Sequence, residues 1–141
     1  MNWYKTVLFV TTSGKGFYDI TAAINTQLTE WGVEEGMAFL FLQHTSASLV
    51  INENYAPSAQ ADMKNFLDHL APEGESWFIH TLEGRDDSPA HLKSMITNTS
   101  LEIPIDNRVL NLGTWQGIYL AEHRHHTQQR RILLRALSVN Q

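Results

Sequence analysis

Hydrophobic positions along the chain change period several times, and each change marks an element. Over residues 3–12 the β-formers Tyr4, Val7, Phe9 and Val10 predict a strand. The turn Ser13-Gly14-Lys15-Gly16 follows, then a short strand over 17–20. A helical period takes over next: Ile24, Leu28 and Trp31 form an apolar stripe, with Thr21 as its N-cap and Gly32 as its stop. Residues 37–43 are an almost unbroken apolar run, the pattern of a strand buried on both faces. A His-Thr-Ser turn leads into another strand over 49–53. A second helix carries Pro57 in its first turn and Ala59, Met63, Phe66, Leu67 and Leu70 on one face, and Pro72 ends it. Residues 77–82 have strand character. Ser88 as cap and Pro89 at the first position open a third helix, with Leu92, Met95 and Ile96 as its apolar stripe. Further strands are expected over 101–105, 109–112, 114–122 and 130–139.

Strands outnumber helices, and the connections between neighbouring strands are short. The fold class expected is therefore α+β: a single domain spanning 1–141, with a largely antiparallel sheet core and about three helices. A chain of 141 residues, 43% apolar, is long enough to bury a real core. The chain has no cysteine, which excludes disulfides and thiolate metal sites and makes a reducing cytoplasm the natural compartment. No signal peptide is visible at the N-terminus, and the longest apolar run is far too short to span a bilayer. Net charge is −5, which argues against nucleic acid as a partner. The charge is uneven, however. No Asp or Glu follows Glu122, whereas Arg124, Arg130, Arg131 and Arg135 all do. That asymmetry fits a local anion site, or equally a solvated strand edge or subunit contact.

Several residues could carry chemistry. His44 ends an apolar strand and enters a turn, so its ring either opens onto a cleft or finds structural partners. Thr45, Ser46 and Ser48 are small donors suited to phosphate oxygens, or ordinary turn residues. Glu53 shares its strand face with Ile51, and Asp62 flanks the apolar stripe of the second helix. His80 follows Phe78 and Ile79. His91 falls in the first turn of the third helix, where the helix dipole favours neutral imidazole. Along the strand at 114–122, Gln116 and Glu122 share a face that extends to Arg124, and Trp115 offers a flat wall. Arg130 and Arg131 point to opposite faces of the last strand, so only one can serve the same pocket.

The strings Gln43-His44-Thr45-Ser46-Ala47-Ser48-Leu49, Ala90-His91-Leu92-Lys93-Ser94 and Gly113-Thr114-Trp115-Gln116-Gly117 closely resemble the YjbQ family over nearly the whole chain. The resemblance implies a homotrimer and a secondary thiamine-phosphate synthase activity, joining a pyrimidine diphosphate to a thiazole phosphate with release of pyrophosphate. It puts His44 in a hallmark string. The resulting candidates are His44, Ser46, Glu53 and Glu122 for catalysis. For a small phosphorylated ligand they are Thr45, Asn52, Asp62, Thr114, Trp115, Gln116, Arg124 and Arg131. For a divalent metal, zinc or magnesium, they are His44, His80 and His91. The competing expectations are a non-catalytic phosphate- or metal-binding oligomer and a metal-dependent hydrolase.

Overall fold

Residues 1–140 are described by a computed structural model; Gln141, the last residue of the expected domain span, lies outside the described residues. In chain order the elements are β1 (Asn2–Thr12), β2 (Gly16–Asp19), α1 (Thr21–Trp31), β3 (Gly36–Leu42), β4 (Ala47–Glu53), α2 (Pro57–Leu70), α3 (Asp87–Ile96), β5 (Ser100–Asp106), β6 (Val109–Leu110), β7 (Gln116–Glu122) and β8 (Gln128–Ser138). One sheet has the order β1-β8-β3-β5-β6 and the other β2-β7-β4, with every pairing antiparallel. The α+β expectation with three helices holds.

Period-2 alternation sets the core. In β8 the side chains of Ile132, Leu134 and Ala136 are buried, and those between them are not. Their inner face meets Leu40 and Leu42 of β3, Leu49 of β4, Ile118 and Leu120 of β7, and Ile24 and Leu28 of α1 in one cluster. Each such side chain contributes roughly 1.5–3 kcal/mol on burial. Arg130 continues the same inward row at the end of β8, so a cation is carried into the core and must be met there.

Four local expectations change. Thr21 is the first helical residue of α1 rather than its cap; its Oγ1 accepts the Ile118 N–H at 2.8 Å and ties the helix to β7. In β3 only Ala38, Leu40 and Leu42 are buried, while Phe41 is 49% exposed, so the apolar run has one inner face and one open face. In α2 only Leu67 of the expected face is buried. Residues 77–82 form no strand; Ile79 and Leu82 are 97% and 98% exposed and pair with nothing.

Helix α3 departs furthest from its reading. It begins at Asp87, two residues before Pro89, which is tolerated because the first turn needs no N–H from that position. Its buried side is Asp87, Pro89, Ala90 and Lys93, whereas Met95 and Ile96 face outward. His91 consequently stands one turn after Asp87 rather than in the first turn.

The register of β4 with β7 fixes where the polar groups gather. Ala47 lies opposite Glu122 at one end and Glu53 opposite Gln116 at the other. Six residues of strand separate the two ends, about 20 Å at ~3.3 Å per residue. No helix among the described residues is long and apolar enough to cross a membrane.

His123, just past β7, is 4% exposed and lies with its Nε2 2.9 Å from Ser48 Oγ. Burial, aided by the charge of Lys93, lowers its pKa to about 4. The folded protein therefore prefers the neutral ring, and the unfolded chain takes up the proton first. Stability is complete above the ordinary histidine value of ~6.5 and falls as pH drops toward 4. We expect a loss of about 2 kcal/mol between pH 7 and pH 5, read from urea midpoints. His44, whose pKa is also lowered by burial, acts in the same sense. His123→Gln should flatten the profile over this range; an unchanged profile would remove His123 as its source.

Candidate functional site

Three side chains converge where the 71–86 loop meets α3. His80 Nε2 is 2.7 Å from Asp87 Oδ2, and His91 Nε2 is 3.3 Å from the same oxygen. Asp87 and His91 are four residues apart on α3, which puts them on one helix face. His91 Nδ1 lies 2.8 Å from the Thr45 carbonyl oxygen. A carbonyl only accepts, so Nδ1 carries the proton, and the lone pair of neutral His91 sits on Nε2. Asp87 Oδ2 is buried and has no hydrogen-bond partner among the described residues. All three candidate ligand atoms lie within 4.8 Å of one another. Two imidazole nitrogens and one carboxylate oxygen, with a carbonyl behind one imidazole, form a donor set that fits a divalent ion of zinc type. Magnesium, which prefers oxygen ligands, is a poorer match.

The other oxygen of Asp87 is already committed. Arg124 Nη1 donates to Asp87 Oδ1 at 2.7 Å, Nε donates to Asp86 Oδ2 at 3.0 Å, and Nη2 donates to the Glu83 carbonyl at 2.9 Å. Asp86 Oδ2 also accepts the His125 N–H. These hydrogen bonds, from His125 and then Arg124, outweigh the burial of Asp86 and lower its pKa. The guanidinium of Arg124 is thus buried in a carboxylate fork and stands behind Asp87, not free in a pocket for phosphate. As a correction to its expected role, Arg124 holds the Asp87 side chain in place.

Beneath the His44 turn lies a second buried pair. Glu122 has no exposed side-chain surface. Its Oε1 accepts from Thr12 Oγ1 at 2.6 Å and Arg130 Nε at 2.8 Å. Its Oε2 accepts from Arg130 Nη2 at 2.5 Å and from the backbone N–H groups of His123 and Arg124. Burial raises its pKa, but the bonds from Arg130 and Thr12 outweigh that and leave it lowered. A carboxylate with both oxygens saturated is held ionised and has no position free to receive a substrate proton. Glu122 is a structural anion rather than a general base. Arg130 Nη2 also donates to the carbonyl and hydroxyl of Ser46, which fixes that turn. Above it, His44 Nε2 accepts the Arg131 N–H at 2.8 Å, so His44 is held apart from the His80–Asp87–His91 group. Both His44 and His91 line an open cleft of about 760 Å³, together with Phe41, Leu42 and Met95.

The family profile described as UPF0047 protein YjbQ-like matches residues 5–139. The chain belongs to the YjbQ (UPF0047) family. It is 42% identical over 132 residues to the UPF0047 protein YjbQ of Escherichia coli O157:H7, covering 93% of this chain and 95% of that one. It is 40% identical over 131 residues to UPF0047 protein sll1880 of Synechocystis, covering 93% and 89%. Among solved structures, an uncharacterized conserved protein of the family from Clostridium acetobutylicum superposes with a TM-score of 0.86 at 35% identity, covering 94% of this chain and 99% of that chain. A conserved hypothetical protein from Thermus thermophilus, TT1486, gives 0.85 at 33% identity over 94% and 99%. These names describe a family of uncharacterised function.

Within this YjbQ-family fold the remaining candidates split into two groups. Thr45, Ser46 and Arg131 stay at the His44 end, where Arg131 lies over the Phe9 ring and its Nε donates to Gln43. Asn52, Glu53, Thr114, Trp115 and Gln116 lie at the opposite end of β4 and β7, and exposed Asp62 lies on α2. There Gln116 Oε1 accepts the Gly113 N–H at 2.8 Å, and Trp115 meets Tyr55 edge-on at 5.2 Å. One copy of the chain does not bring the two groups together. Asp87, absent from the sequence candidates, is the residue that completes the histidine pair. The Asp-x-x-x-His spacing at 87–91 was the available signal.

The Glu122–Arg130 pair supports a direct test. Arg130→Met should cost about 3–5 kcal/mol, since it strands a buried carboxylate, while the double change Glu122→Leu with Arg130→Met should recover most of that loss. Equilibrium urea unfolding measures both. Equal losses in the single and double variants would contradict the pairing.

Proposed function

We propose that this chain is a divalent-metal protein, with zinc the best-matched ion, acting on a small phosphorylated ligand in the cleft between His44 and His91. The observation that carries the reading is Asp87 Oδ2: buried, unpartnered, and faced by the Nε2 lone pair of His91. In this reading His80, Asp87 and His91 hold the ion, the Thr45 carbonyl fixes the His91 tautomer, and Arg124 holds Asp87 in place. A bound divalent ion supplies Lewis-acid polarisation and lowers the pKa of a bound water. The reaction class this supports is metal-dependent hydrolysis. Saturable ligand binding without turnover would instead mark a binding protein. With no cysteine in the chain, we place it in a reducing cytoplasm.

Chelator-stripped protein dialysed against zinc at pH 7.5 should retain one ion per chain by elemental analysis. Occupancy should decline on acidification, because protons compete with the metal for its ligands. Asp87→Asn and His91→Ala should lose most of the metal with the circular dichroism spectrum intact, and His44→Ala should keep it. No uptake by the wild type, or loss with His44→Ala alone, would overturn the reading.

A second reading is the thiamine-phosphate synthase activity that the family resemblance implies. The exposed Trp115–Tyr55 pair supports it as a stacking wall for a pyrimidine. That wall lies about 20 Å from the His44 end, so it must come from another copy. The homotrimer we propose provides that copy. Phe9, Phe41, Met95 and Ile96 are each about half exposed or more, and a second copy would cover them. Light scattering should give three times 16.1 kDa, about 48 kDa; a 16.1 kDa particle would exclude the trimer and, with it, the shared wall.

A further inference from the structure

The hydrogen-bond bookkeeping around His44 does not close within the chain. Its Nε2 accepts a backbone N–H from Arg131, and an amide nitrogen can only donate. Nε2 is therefore the unprotonated nitrogen, and neutral His44 carries its proton on Nδ1. Burial, with the nearby Arg130 charge, keeps the ring neutral by lowering its pKa. Facing that Nδ1–H at 3.4 Å is Arg130 Nη1, which also carries only hydrogens. The contact is therefore two donors side by side. The other guanidinium nitrogens of Arg130 are satisfied: Nε by Glu122, and Nη2 by Glu122 and Ser46. Nη1 has no acceptor among the described residues, and Arg130 is 3% exposed. A buried cationic donor without an acceptor is costly, and a second donor beside it compounds the cost.

We propose that His44 Nδ1–H and Arg130 Nη1–H together form an oxyanion site where the His44 ring joins the wall of the cleft to buried Arg130 behind it, taking one oxygen of a phosphate or carboxylate group. The location follows from the backbone: His44 and His91 line the same cleft, and Thr45, the next residue, supplies the carbonyl that fixes His91. An anionic group held at His44 would present the rest of its molecule toward the His80–Asp87–His91 group. Charge-assisted bonds from a guanidinium and an imidazole suit an oxyanion better than a neutral carbonyl. Arg130 thereby takes the part that the sequence assigned to Arg124. This deepens the reading of the cleft as the ligand site, and it can fail separately from the metal centre because its test is run without metal.

The test uses full-length, histidine-¹⁵N-labelled protein stripped with chelator at pH 7. Long-range ¹H–¹⁵N spectra should show His44 as the Nδ1–H tautomer. Titration with inorganic phosphate, and separately with acetate, should move that resonance saturably for at least one of them. The stronger of the two identifies a phosphate-bearing or a carboxylate-bearing ligand. His44→Gln keeps an acceptor for the Arg131 amide but removes the Nδ1 donor. It should weaken that binding by about tenfold or more while zinc uptake stays at the wild-type level. An Nε2–H tautomer, no saturable shift with either anion, or equally tight binding by His44→Gln would each overturn the site.

Discussion

The Asp87 carboxylate is divided between two tasks, and the arrangement of the site follows from that division. One oxygen is fixed by the Arg124 guanidinium, which also binds Asp86 and the Glu83 carbonyl. The other is buried between His80 Nε2 and His91 Nε2, in contact with both but with no hydrogen-bond partner among the described residues. A carboxylate clamped on one side cannot rotate its second oxygen away to find a different donor. The 71–86 loop is thus pinned to α3, with Asp87 Oδ2 held beside two imidazoles. Truncating Arg124 would free Asp87 to turn, and the constellation would lose its geometry before it lost its residues.

A second constraint acts from below. Arg130 enters the core because it sits in the inward row of β8, and Glu122 reaches the same point because the register of β7 with β4 places it opposite Ala47. Their pairing is a consequence of strand alternation, not of local sequence. Once formed, it anchors Ser46, orders the turn carrying His44 and Thr45, and so sets the carbonyl that orients His91. The two buried ion pairs are therefore linked through three residues of one turn. Disturbing either propagates to the cleft.

How much of this was legible in the sequence depended on whether a residue's surroundings were local. Strands β1, β4, β5 and β8 and helix α1 followed from period and turn residues, because their inner faces pack within the chain. Residues 77–82 and the stripe Leu92, Met95 and Ile96 were misread because apolarity signals burial somewhere, not burial within one copy; these side chains lie outside the chain's own core. Arg124 looked free because no acid follows Glu122 in sequence. Its partners, Asp86 and Asp87, stand nearly forty residues earlier. His80 and His91 were named from the sequence with His44 as their third member; in the structure the third member is Asp87, a carboxylate that the helix buries where an apolar stripe was expected. Lys93, buried on the same face against Asp68, shows that α3 is seated by charge pairing as much as by apolar contact.

His80 Nε2, Asp87 Oδ2 and His91 Nε2 share one point, proposed above as the seat of a divalent ion. Crystals soaked in zinc, with diffraction data collected on both sides of the zinc absorption edge, would test it most directly. The account predicts one anomalous peak per chain, about 2.0–2.2 Å from His80 Nε2, Asp87 Oδ2 and His91 Nε2, with Arg124 still on Asp87 Oδ1. No peak at that position, or a peak ligated by His44 in place of Asp87, would contradict it.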